Sequence, residues 1–145
     1  SDHYCYHFAP QELENGPGAA HPKNTKLQGK WRRTMVDFCV FPNHLVTLMP
    51  DYLWWVSVMP QGVDGFKATW GVAVPPEILN DIAKEDYDEW LKKKIHYMNT
   101  ANEEDRNLVE GLFYGSQSSR LPQGTLHPIE KNLWQFTKYL SKITG

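Results

Sequence analysis

Apolar and polar positions along this chain change period once, near Val74. Before it the repeat is two. Phe66, Ala68, Trp70, Val72 and Val74 alternate with Lys67, Thr69, Gly71 and Ala73, which predicts a strand. Three further strands are predicted upstream. Thr34 to Phe41 is rich in strand formers and stops at Pro42-Asn43; His44 to Met49 stops at Pro50-Asp51. Tyr52 to Met59 is nearly continuous in apolar residues, and its adjacent Trp54 and Trp55 must face opposite sides of a sheet. Gln61-Gly62-Val63-Asp64-Gly65 has the glycines of a hairpin loop. Such short connections predict an antiparallel meander over residues ~33 to ~75.

After Val74 the period is helical. Pro75-Pro76-Glu77 opens a short helix with Ile78, Leu79 and Ile82. Tyr87, Trp90, Leu91, Lys94, Ile95 and Met98 then recur at amphipathic spacing. A separate helix is predicted over Ala101 to Ser118, with Asn102 as N-cap and Glu103, Glu104 and Asp105 in its first turn. Gln117 to Gly124 reads as a polar loop. His127-Pro128-Ile129-Glu130 supplies a cap, a first-turn proline and an acid at the third position. Ile129, Leu133, Phe136, Leu140 and Ile143 form the stripe of a last long helix. A sheet followed by helices predicts an α+β fold, with the 129–143 helix across the concave face of the sheet. Residues 1–30 show no period and are punctuated by Pro10, Gly16, Pro17, Gly18, Pro22 and Gly29, which predicts an irregular N-terminal segment. The 145 residues are enough for a single domain.

Composition narrows the function. A net charge of -2 gives no reason to expect nucleic acid as a partner. Lys92, Lys93 and Lys94 read as a solvated helix face. Cys5 and Cys39 make no metal-ligand cluster. No apolar run reaches the ~20 residues of a membrane span, and there is no signal-peptide pattern, so a cytoplasmic protein is expected. The aromatic share of 13%, with six Trp, suggests a core or pocket built on flat side chains, and Trp54, Trp55 and Trp70 either line a substrate cavity or pack as core. Of the histidines, His44 reads as structural, His96 as solvated and His127 as a cap; His3, His7 and His21 have no assigned role. Neither a Ser-His-Asp nor a Cys-His arrangement nor a Gly-rich phosphate loop is found.

Asp105 is the most informative acid. It precedes Leu108, Val109 and Leu112 by three, four and seven residues, which puts it on their face of the helix. If that face is inward, the carboxylate needs a cation, a donor or a metal. Otherwise it serves the helix dipole.

Several phrases resemble the C-terminal part of the catalytic domain of Rieske non-haem iron (aromatic-ring-hydroxylating) oxygenase α subunits. They are Phe41-Pro42-Asn43, Pro50-Asp51-Tyr52, Met59-Pro60-Gln61-Gly62, Asn102-Glu103-Glu104-Asp105 with Val109-Glu110-Gly111, Leu121-Pro122-Gln123-Gly124-Thr125-Leu126 with Glu130, and Trp134-Gln135-Phe136. The resemblance implies a helix-grip (Bet v 1/START-like) fold, incomplete in this stretch, and an Fe(II) held by two histidines and one carboxylate. The carboxylate position falls on Asp105. It also implies a small-molecule substrate, a reductase, a Rieske domain that feeds electrons to the iron, and a trimeric assembly.

Two departures qualify it. The paired Cys-x-His and Cys-x-x-His of a Rieske cluster do not occur here. The iron histidines of the family stand on a helix and include a Tyr-His pair. Tyr6-His7 offers one such pair, but the second ligand position then falls on Glu12. The expected function is therefore the C-terminal catalytic segment of an Fe(II)- and O2-dependent ring-hydroxylating or demethylating oxygenase, binding no iron and inactive by itself. The other class is a stand-alone helix-grip module that holds a small apolar ligand without chemistry.

Overall fold

A computed structural model describes residues 3–12, 18–82, 84–120 and 124–145, with the side chains of Asp81, Lys84 and Glu85 left aside. Gly16, Pro17, Leu121, Pro122 and Gln123, all used in the sequence reading, lie outside the described residues. The chain packs as two compact units, Ser1–Ile82 with His127–Gly145, and Ala83–Leu126.

The first unit is a five-stranded antiparallel sheet in the order β1-β2-β3-β4-β5, with helices α1 and α3. The strands are β1 (Tyr4–Pro10), β2 (Thr34–Val40), β3 (His44–Leu48), β4 (Leu53–Pro60) and β5 (Phe66–Ala73). The last four fall where the alternation puts them. A cis Phe41-Pro42 bond lies in the turn from β2 to β3. The β4–β5 hairpin is closed by Gln61 N–H donating to Gly65 O at 2.8 Å, with Gly62 at φ +80, a conformation that favours glycine.

The expectation of an irregular segment over residues 1–30 is corrected at β1, which pairs with β2 along its whole length. Tyr4, Tyr6 and Phe8 alternate with Cys5, His7 and Ala9, a strand pattern hidden by its shortness and by the proline that ends it. Residues 18–33, which lead into β2, are a built structure. Asp51, 1% exposed, accepts from His21 N–H at 2.5 Å and from Asn24 Nδ2 at 2.7 Å. Arg32 donates to the carbonyls of His21 (3.1 Å), Leu27 (3.3 Å) and Asn24. These bonds satisfy part-buried backbone groups that have no sheet partner of their own.

Helix α1 (Pro76–Asp81) buries Ile78, and Ile82 just beyond it is buried too. The last helix begins as expected. His127 Nδ1 accepts from Ile129 N–H (3.3 Å), and Glu130 accepts from His127 N–H (2.6 Å), through one turn of 3₁₀ helix into α3 (Lys131–Thr144). Its main contact is with β1, and Phe136 and Tyr139 meet Phe41 with ring centroids at 5.5 and 5.2 Å. The contact side is rotated from the expected stripe: Phe136, Tyr139 and Leu140 are half-buried, whereas Ile129, Leu133 and Ile143 are exposed. The aromatic anchor on Phe41, rather than the aliphatic row, sets that rotation.

The second unit is built on α2 (Lys84–Ser116), one helix of 33 residues. Two helices with a start at Asn102 were expected. Met98-Asn99-Thr100-Ala101-Asn102 contains neither Gly nor Pro, so nothing stops propagation, and Thr100 bonds back to His96 O at 3.1 Å instead of capping. The N-terminal half keeps the expected stripe: Tyr87, Trp90, Leu91 and Lys94 are half-buried and Met98 is buried, though Ile95 is exposed.

Candidate functional site

In an antiparallel pair, residues directly opposite one another share a face. The register therefore sorts the site residues proposed from sequence. His7 on β1 lies opposite Asp37 on β2, Asp37 opposite Thr47 on β3, and Thr47 opposite Trp54 on β4. These four form a row across the sheet. Thr47 Oγ1–H donates to Asp37 Oδ1 at 2.7 Å. Trp54 lies opposite Val72, and Trp70 stands two residues from Val72 on β5, so Trp54 and Trp70 share this face. The indole N–H of Trp54 is buried and has no hydrogen-bond partner among the described residues. A buried donor of this kind calls for an acceptor, supplied by a ligand or by water.

Trp55 is on the other face. It lies over Gly71, its cross-strand partner, where an added Cβ would come within 2.9 Å of the indole. It also stacks on His44 with centroids 6.0 Å apart, and His44 Nδ1 shares a 2.7 Å hydrogen bond with Ser57. His44 is structural, as expected. The three tryptophans, expected as cavity lining or as core, are thus two on one face and one on the other, as the adjacency of Trp54 and Trp55 requires.

Asp105 lies in the middle of α2, not in a first turn, so the dipole reading no longer applies to it. It shares its face with Leu108, Val109 and Leu112, but that face is exposed: Leu108 is 60% and Leu112 63% exposed. The inward placement expected from the offsets is corrected accordingly. Arg106 occupies two neighbouring acids, Glu103 at 2.5 Å and Glu110 at 3.9 Å. The Asp105 carboxylate makes no hydrogen bond or ion pair with another described residue. His7 is exposed, on an edge strand. Among the described residues, no group of three or more His, Cys, Asp or Glu gathers in a way that could hold a metal ion. None of their helices is long and apolar enough to cross a membrane.

Compared with known families, residues 5–145 match the ring hydroxylating alpha subunit (catalytic domain). The chain belongs to that family. The match spans all five strands but for Tyr4, with α2 and α3, and the α+β architecture is consistent with the helix-grip catalytic domain. No curated protein and no solved structure matches the chain significantly. Within the ring-hydroxylating family frame, the sequence reading missed the Asp37–Thr47 pair and the acceptor role of Asp51. Asp37 carried a usable signal, a lone acid amid strand formers.

Proposed function

We propose that residues 1–145 form the carboxylate-bearing part of the catalytic domain of a ring-hydroxylating or demethylating oxygenase, both compact units belonging to that one domain. The family match over residues 5–145 carries this reading. Asp105 is the proposed carboxylate ligand to Fe(II): it stands in the Asn102-Glu103-Glu104-Asp105 phrase, and its carboxylate is not engaged by Arg106. The described residues do not by themselves fit a facial site of two histidines and a carboxylate. In this reading the histidines, the Rieske cluster and the reductase that feeds it come from outside these 145 residues. His7 has no part in it, because it stands on a strand and the family's iron histidines stand on a helix.

The substrate is a small apolar molecule. The Trp54 and Trp70 face, with a buried indole N–H short of an acceptor, is the proposed contact surface, and a substrate carrying one hydrogen-bond acceptor suits it. Trp55, packed on Gly71, is excluded from that surface. The exposed Leu108, Leu112 and Tyr114 of α2 are surface that the complete enzyme, an oligomer in this family, would cover.

The metal reading has a direct test on the chain itself. Purified residues 1–145, loaded anaerobically with Fe(II) and desalted, should retain well under one iron per chain. One exposed carboxylate cannot hold Fe(II) against water. Asp105→Ala should leave stability unchanged, or raise it by up to about 0.5 kcal/mol, since Ala is the better helix former. One tightly held iron per chain, lost in Asp105→Ala, would overturn the statement that the site is completed from elsewhere.

A further inference from the structure

Cys5 and Cys39 are 34 positions apart in sequence, yet they sit directly opposite one another on β1 and β2. The register also fixes the kind of pair. Phe41 N–H donates to His3 O at 2.9 Å and Gln11 N–H to Arg33 O at 2.7 Å. Hydrogen-bonded pairs recur every second residue, so Cys5 and Cys39 form one too, between His3–Phe41 and Gln11–Arg33. Opposite residues point to the same face, and the Cα separation of such a pair, about 5.5 Å, is within the range that disulfides span. One thiol hydrogen-bonds the other. Cys5 is 4% exposed and Cys39 is half-buried, so Cys39 is the residue more open to a small oxidant in solvent.

We propose that Cys5 and Cys39 are a dithiol that hydrogen peroxide converts to a reversible cross-strand disulfide, fastening the edge strand β1 to the sheet. The Cys39 thiolate attacks one peroxide oxygen and the O–O bond breaks. This gives a cysteine sulfenic acid and hydroxide, which takes the thiol's proton to become water. The Cys5 sulfur then attacks the sulfenic sulfur, forming the S–S bond and expelling hydroxide. That hydroxide takes the Cys5 proton and leaves as the second water. Two thiols and one peroxide thus give one disulfide and two waters, the two sulfurs supplying both electrons.

Burial and the neighbouring Cys5 push the Cys39 thiol up to about 11, and burial raises Cys5 as well. The pair is therefore quiet at neutral pH and yields to a sustained oxidant rather than to a trace. Side chains of a hydrogen-bonded pair stand farther apart than those of the alternate class, so the bond is of the reducible kind. The consequence lies in the position of β1. It has a sheet neighbour on one side only, and the cross-link would hold it there when its hydrogen bonds open.

The test treats the folded chain with excess hydrogen peroxide and maps its peptides without reduction. The expected product is one intramolecular Cys5–Cys39 cross-link, with both free thiols lost together, both restored by dithiothreitol, and the chain lighter by two hydrogens. Cys5→Ala should divert Cys39 to sulfinic acid or an intermolecular disulfide. Should that variant not fold, the wild-type peptide map still decides. Three results overturn the proposal: over-oxidised Cys39 beside an intact Cys5 thiol, intermolecular dimers alone, or two thiols untouched by peroxide that oxidises the exposed Met59.

Discussion

Asp51 and Asp105 show how differently two acids of one chain are used. Asp51 is sealed from solvent and holds the loop after β1 through His21 and Asn24. Removing its carboxylate strips the part-buried His21 N–H of its acceptor and leaves the buried Asn24 amide with only its long bond to Pro50 O (3.4 Å). Asp51→Ala should therefore lower unfolding stability by about 2–3 kcal/mol, read from the urea midpoint at unchanged slope. A change within ~0.5 kcal/mol of zero would mean that water replaces the carboxylate. Neither role was open to sequence reading in full. Pro50-Asp51 announces a turn, but nothing local shows that its acid receives donors from residues 27 and 30 positions upstream. The offsets of Asp105 gave its face correctly; whether that face is covered depends on what surrounds the helix, which the offsets do not carry.

At the scale of elements, period and breakers made the sheet legible. Four strands lie within a residue or so of their expected ends, because Pro42, Pro50 and the Gln61–Gly65 loop punctuate them. The cap of α3 was legible for the same reason, since a capping box is a local device. β1 was missed because its partner lies beyond a long loop, and α2 was divided because Asn102 resembles a cap without being one. The glycines of α2 offer a check on its exposed half. An added Cβ at Gly111 meets nothing within 4 Å. Gly111→Ala should therefore raise the stability of the isolated chain by about 1 kcal/mol, the usual gain at an exposed helix interior. Thermal unfolding followed by circular dichroism checks this, and a lowered midpoint would show that another surface covers that side of the helix.

For the whole molecule, the fold and its family follow from the order of its phrases and the sheet that they build, and the family match confirms them over nearly the full chain. The chemistry is less legible: among the described residues no cluster could hold a metal, and the proposed centre would take only one of its ligands from this stretch. The central claim is that Asp105 is that ligand. On that proposal, the most direct measurement uses an oxygenase in which these residues are joined to the histidine ligands and a Rieske cluster, comparing Asp105→Ala with the parent for catalytic iron content and substrate turnover, with the cluster's absorption spectrum as the internal control. The account predicts loss of the catalytic iron and of turnover, with the cluster spectrum unchanged. An Asp105→Ala enzyme that keeps its iron and turns over at the parent's rate would contradict it.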